Sequence, residues 1–158
     1  MKQIIFKPEL HKFGTSKEFA ENFAIGAGDL ILTNRFIYEP YFGSLNLEAD
    51  TIFQEEYGVG EPSDEMFEAI YLDVLNMGPH KRIIGIGGGT VLDISKILAL
   101  KNCYPVADLY DRKLDVVKEK ELILVPTTCG TGSEVTNISI LAFLSRNTKI
   151  GLAVEEMY

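Results

Sequence analysis

RIIGIGGGTVLDISK (residues 82–96) runs a continuous apolar segment into three consecutive glycines and out into a segment with helical spacing. Glycine loses more backbone freedom on folding than any other residue, so three in a row demand a reason. A strand that feeds a glycine-rich turn and then a helix is an arrangement that binds phosphate. The first N–H groups of the helix have no partner, and the helix dipole adds partial positive charge there. Gly87, Gly88 and Gly89 would let a pyrophosphate approach the backbone. Thr90 is expected to cap the helix and to offer its hydroxyl, with Asp93 completing a Thr-x-x-Asp capping pattern. The ordinary dinucleotide fingerprint is not met: Gly85 and Gly87 fit, but the third glycine position holds Thr90. The P-loop pattern also fails, because Lys96 lacks the preceding glycine and the following Ser or Thr. A purely structural tight turn remains the alternative.

Outward from this stretch, apolar and amphipathic segments alternate. LILVPTT (122–128) resembles RIIGIG (82–87) as a continuous apolar run of the kind found in strands buried on both faces. DLILTN (29–34) and TIF (51–53) are shorter strand candidates. Thr15 and Glu18 spell a capping box before KEFAENF. Pro62-Ser63-Asp64-Glu65 opens a helix whose apolar face carries Met66, Phe67, Ile70, Val74 and Leu75. After Gly89, the residues Val91, Ile94, Ile97, Leu98 and Leu100 can face a sheet. This alternation predicts an α/β fold, Rossmann-like and doubly wound around a mainly parallel sheet. EVTNISILAFLSRNTKIGLAV (134–154) departs from it and predicts an antiparallel β-hairpin turning at SRNTK. Without repeats or linker-like stretches, residues 1–158 read as one domain.

A second glycine-bearing loop, LVPTTCGTGSE (124–134), clusters Thr127, Thr128, Thr131 and Ser133 among Gly130 and Gly132. It again follows a strand-like run, and in parallel sheets ligands collect at the carboxyl ends of strands. Two such loops favour one shared ligand over two hydroxyl-rich turns held by local hydrogen bonds.

Composition sets bounds on partners. The net charge of −8 argues against nucleic acid and anionic membrane surfaces. It leaves an anionic cofactor compatible, since backbone N–H groups hold phosphate locally. Cys103 and Cys129 show no pairing pattern, which suits a reducing, cytoplasmic setting. The N-terminus MKQIIFKPEL lacks the apolar core of a signal peptide, and no segment is long enough to span a membrane. His11 and His80 have no metal-ligand spacing and read as surface or turn residues. Cys129 lacks a neighbouring histidine, which argues against a catalytic thiol.

Taken together, GIGGGTVLDISK and VPTTCGTGSEVT resemble the iron-containing (group III) alcohol dehydrogenases. GDLILTN, FQEEYGVGEPSDE and GLAVEEMY look closest to the branch acting on 4-hydroxybutyrate. The resemblance implies that Gly87, Gly88, Gly89 and Thr90 wrap the pyrophosphate of NAD(P), and that Asp93 lies near its nicotinamide half. It implies that Thr127 and Thr128 contact the adenine side and the phosphates, with Thr131 in the same loop. It also implies that Lys149 lies near the nicotinamide ribose, a solvated turn lysine being the plain alternative. Asn34 stands where many members carry the aspartate that contacts the adenosine ribose, which leaves NADP open beside NAD. Glu61-Pro62-Ser63 replaces the common Asn-Pro-Thr.

The implied activity is hydride transfer between NAD(P) and a small primary alcohol or aldehyde, with 4-hydroxybutyrate and succinate semialdehyde as the favoured pair. The family's divalent metal, iron, is held by an aspartate and three histidines of a helical second domain that these 158 residues do not supply. The chain is therefore expected to be the cofactor-binding half of a two-domain dehydrogenase and inactive alone; homo-oligomer formation is left open. A stand-alone nucleotide-binding or regulatory module is an alternative, as is an enzyme resembling glycerol dehydrogenase or dehydroquinate synthase.

Overall fold

The computed structural model describes residues 6–158; the first five residues of the N-terminal stretch inspected for a signal peptide lie outside the described residues. In chain order the elements are α1 (Ser16–Asn22), β1 (Asp29–Thr33), α2 (Arg35–Phe42), β2 (Asp50–Phe53), α3 (Asp64–Met77), β3 (Arg82–Gly87), α4 (Gly89–Leu98), α5 (Val106–Tyr110), β4 (Glu121–Pro126), β5 (Ile138–Phe143) and β6 (Thr148–Ala153). Strands β1 to β4 form a parallel sheet in the order β2-β1-β3-β4. Strands β5 and β6 form the antiparallel hairpin, with Phe143 opposite Thr148 at its turn.

Side chains alternate across the sheet because successive strand residues point to opposite faces. Leu30, Leu32 and Ile83 join the buried faces of α3, α4, α5 and the hairpin. Ile31, Ile84 and Ile86 pack instead with Phe19, Ile37 and Phe42 from α1 and α2. Helices on both faces of one parallel sheet make the doubly wound architecture.

The glycines of β3 answer part of the question that the sequence poses. A Cβ on Gly85 would lie 2.9 Å from Ser95 Cβ, and one on Gly87 would lie 2.8 Å from Val91 Cβ. Both positions sit where α4 crosses the strand, so these two glycines are required by helix–strand approach.

Local signals acted largely as expected, with shifts. Thr15 Oγ1 accepts from the Glu18 amide at 3.1 Å, but the Glu18 carboxylate accepts from the Gly14 amide, one residue before the cap. Ser63 caps α3 by accepting from the Met66 amide. Three readings need correction. Leu75 is 57% exposed, on the rim of the α3 apolar face. Strand β4 is half-buried along most of its length because it forms an edge of the sheet, with a neighbour only on the β3 side among the described residues. His80 is buried: the turn before β3 tucks its ring against the start of β2, where Nε2 meets Asp50 Oδ2 at 2.7 Å. The buried bidentate pair between Arg82 and Asp29, at 3.0 and 2.7 Å, ties β3 to β1 at the opposite edge from the glycine loop.

Gly85→Ala is expected to lower unfolding stability by about 1–3 kcal/mol through overpacking against Ser95. Gly26→Ala, where an added Cβ meets nothing within 4 Å, is expected to shift it by less than about 0.5 kcal/mol. Urea unfolding of the two variants checks the contrast.

Candidate functional site

The chain leaves β1 toward β2 on one side and leaves β3 toward β4 on the other, so the carboxyl ends of β1 and β3 flank the point where the winding reverses. Ligands bind at this place in open α/β sheets. Asn34 directly follows β1, Gly88 follows β3, and Thr127 follows β4. The Thr127 amide donates to Gly87 O at 3.0 Å, which extends the β3–β4 pairing into the two loops.

Helix α4 starts at this edge without a lid. Gly88 is its N-cap in an extended conformation (φ −82°, ψ −174°), no side chain caps it, and its first turn holds no acidic residue. The first helical bond runs from the Leu92 amide to Gly88 O. The amides of Gly89, Thr90 and Val91 therefore have no backbone partner among the described residues. The capping role expected of Thr90 is not observed. The helix begins before Thr90, which leaves its hydroxyl free to donate to Gly60 O at 2.9 Å.

Gly88 and Gly89 lie against the second loop. A Cβ on Gly88 would come to 3.3 Å from Thr128 Oγ1, and one on Gly89 to 3.2 Å from Thr131 Cγ2. The same absence of side chains that bares the helix amides lets the threonine loop close up beside them. An open groove of about 1820 Å³ extends from this edge along the exposed length of β4 to the segment 7–16; at the edge itself its lining includes Asn34, Gly88, Gly89, Thr90, Thr127 and Thr128. Gly87 lies beneath it, at the contact with Val91, and Thr131 lies against Gly89.

Asp93 and Lys149 are engaged elsewhere. Asp93 Oδ1 accepts from Ser133 Oγ at 2.5 Å, and Oδ2 accepts from the Ile140 amide at 3.1 Å. Lys149 Nζ pairs with Glu61 at 2.7 Å on the exposed surface. That pair joins β6 to the loop whose Gly60 carbonyl receives the Thr90 hydroxyl.

The sequence pattern gives Lys96 no role beyond its failure to complete a P-loop. Its side chain has no exposure, and its ammonium donates to Ser133 Oγ (2.9 Å), Thr136 Oγ1 (3.2 Å) and Ile138 O (2.8 Å). All three protons are used, so the lysine pins the second loop and the start of β5 to α4. Burial lowers its pKa from 10.5 to about 8, against the opposing influence of Asp93 and Glu134. The sequence clue was a lysine set among Ile94, Ile97 and Leu98, which are buried in this helix.

At the end of β1, Asn34 Nδ2 donates to Gln54 Oε1 (3.2 Å) and Glu55 Oε2 (3.0 Å). Glu55 Oε1 accepts from the Arg35 amide at 2.7 Å, at the start of α2. Burial works to raise the Glu55 pKa, but these hydrogen bonds and Arg35 prevail and hold it below the ordinary value. Neither Gln54 nor Glu55 was singled out from sequence. For metals, the described residues contain no group of three or more His, Cys, Asp or Glu able to hold an ion.

A sequence profile of the iron-containing alcohol dehydrogenases matches residues 3–158. The chain belongs to this family. It is 51% identical over 158 residues to the 4-hydroxybutyrate dehydrogenase of Clostridium kluyveri, a match covering 100% of this chain and 42% of that protein. The fold superposes on an NAD+ complex of sulfoacetaldehyde reductase from Bifidobacterium kashiwanohense with a TM-score of 0.71 at 21% identity, over 90% of this chain and 39% of that one. An iron-containing alcohol dehydrogenase from Thermotoga maritima gives 0.66 at 26% identity, over 90% and 42% of the two chains. The chain thus spans less than half the length of these relatives.

Titration of Lys96 has a defined sign. Its folded pKa of about 8 lies below the ordinary 10.5, so between these values the unfolded chain holds more protons and stability rises with pH. The contribution is fully present above about 10.5 and is lost as pH falls through about 8. Relative to Lys96→Met, the native protein is expected to gain on the order of 3 kcal/mol at most across this window. Parallel denaturant titrations of the two proteins from pH 7 to 11 measure the difference.

Proposed function

We propose that residues 1–158 form the dinucleotide-binding portion of an NAD-dependent dehydrogenase that interconverts a small primary alcohol and its aldehyde. The observation that carries this reading is the bare start of α4. Three amides lack backbone partners, no carboxylate occupies the first turn, and the threonine loop stands beside them in an open groove. In a chain of net charge −8, this gap in the acidic surface suits a diphosphate.

In this reading the Gly89, Thr90 and Val91 amides hold the phosphate oxygens. Thr127 and Thr128 add hydroxyl donors from β4, and Asn34 receives the adenosine ribose at the end of β1. The bound nicotinamide supplies the hydride acceptor or donor. Gly87 and Thr131 support the loop, and Asp93 and Lys96 fix the two loops relative to one another. Lys149, through Glu61, steadies the segment that takes the Thr90 hydroxyl. The described residues do not fit a resident metal, so no step is assigned to one here.

The 4-hydroxybutyrate and succinate semialdehyde pair is the substrate we favour, on the identity to the clostridial enzyme across all 158 residues. Cys103 and Cys129 are both free, the first buried with its thiol pushed up to about 12 chiefly by burial. Two free thiols are compatible with the cytoplasmic setting that we infer.

Gly88→Asp sets a carboxylate where the phosphates would lie. NAD affinity, measured by calorimetry, is expected to fall by at least about tenfold, with the circular dichroism spectrum retained. Unchanged affinity in a folded variant would remove the phosphate from the start of α4.

A further inference from the structure

We propose that Lys96 is a positioning residue that acts through its proton: its ammonium form holds the threonine loop where a diphosphate can use it, so dinucleotide binding and protonation of Lys96 favour one another. The inference rests on the dinucleotide reading of the groove and adds a dependence of that site on pH.

The oxygens around Lys96 suit a charged group. An ammonium has three donors and no acceptor. Two of its partners have no hydrogen to return: Ile138 O is a carbonyl, and the Ser133 hydroxyl already gives its own to Asp93 Oδ1 at 2.5 Å. Loss of a proton leaves two donors and a lone pair, toward which Thr136 is the contact able to turn a hydrogen. The three contacts then persist as bonds between neutral groups, about half as strong as those of a charged donor. The tie that weakens is the one that reaches the glycines. Ser133 donates its amide to Thr131 Oγ1 at 3.4 Å, and Thr131 is the residue that closes against Gly89.

The surroundings act on the charge in opposite directions. Asp93 on α4 and Glu134 in the loop favour the ammonium, while burial disfavours it and brings its pKa down to about 8. Other ionisable groups on the packed elements are engaged away from it. Tyr110 of α5 bonds to Ser139, Lys120 before β4 donates to Leu98 O at the far end of α4, and Arg82 pairs with Asp29 at the opposite edge of the sheet.

A diphosphate at the start of α4 stands about 10 Å of helix rise from Lys96. Its negative charge favours the ammonium, and its contacts with the threonines hold the loop in the place that the ammonium sets. Ligand binding therefore raises the proton affinity of Lys96, and by reciprocity the proton raises the affinity for the ligand by the same factor. Below about 8 the amine is protonated with or without ligand, and affinity is flat. Above it, binding takes up a proton, so affinity falls as pH rises. Stability moves the other way, because the neutral amine costs less to bury. A lysine that merely held the fold together would make affinity rise with stability.

Calorimetric titration with NAD from pH 7 to 9.5, in two buffers of different ionisation enthalpy, tests this. Affinity is expected to fall by about fivefold across the range, with proton uptake on binding where it falls. Lys96→Met should bind NAD more weakly at pH 7 and lose the fall. Glu134→Gln keeps the size of the side chain but removes an anion that favours the ammonium, so the fall should move to lower pH. That variant decides the matter if Lys96→Met does not fold. Cys129→Ser, which removes the thiol of the same loop, should leave the fall in place. Affinity that stays flat with pH, or that rises with stability, would overturn the inference and leave the groove's reading intact. A fall that survives Lys96→Met, stays at the same pH in Glu134→Gln or vanishes in Cys129→Ser would do the same. Failure of the native protein to bind NAD at any of these pH values would overturn both.

Discussion

The ammonium group of Lys96 lies between α4 and the segment Ser133–Ile138, without solvent exposure, and each of its protons has an oxygen to go to. Burying a charge costs several kcal/mol unless it is paired and fully hydrogen-bonded. Here Asp93 supplies the opposite charge at 3.8 Å, and Ser133 bridges the two groups. The carboxylate in turn takes the Ile140 amide, and Ser139 Oγ donates to the Asp93 carbonyl. One turn of helix thereby fixes the exit of the second loop and the first residues of the hairpin. Without that tie, the threonine loop would be held beside the glycines from one end alone, by the β3–β4 ladder and the bond from Thr127 to Gly87 that extends it.

Close approach of backbones is the second constraint, and it divides the glycines into two groups. Gly85 and Gly87 face α4 and admit its Ser95 and Val91 against β3. Gly88 and Gly89 face the other way and admit Thr128 and Thr131. Gly88 uses an ordinary negative φ, so its need for glycine comes from room and not from handedness. The bare helix start follows from this packing: a side chain able to cap α4 at Gly88 would occupy the space of the threonine loop.

Much of the fold was legible because its signals are local. Continuous apolar runs marked β1 and β3, helical spacing marked α3 and α4, and SRNTK marked the hairpin turn. Helix α2 escaped notice because Pro40 lies inside it and breaks the helical pattern. Edge position is a property of topology, so the half-burial of β4 could not be seen in a run as apolar as that of β3. The groove residues Asn34, Gly88, Gly89, Thr90, Thr127 and Thr128 stand in motifs and were found there. Gln54 and Glu55 were not, because their effect on Asn34 depends on β2 lying beside β1, a pairing across some 20 residues. The roles of Asp93 and Lys96 in joining the two loops likewise needed coordinates, since their partners lie 37 to 47 residues away.

The central claim is that two loops from separate strands form one anion-binding edge at the start of α4. Amide chemical-shift mapping by NMR during titration with ADP, which carries the diphosphate without nicotinamide, tests it most directly. The account predicts that the largest shifts fall together on Gly88–Val91 and Thr127–Thr131, saturating at a single ADP concentration. Shifts confined to one loop, or centred on residues away from the carboxyl edge of the sheet, would contradict it.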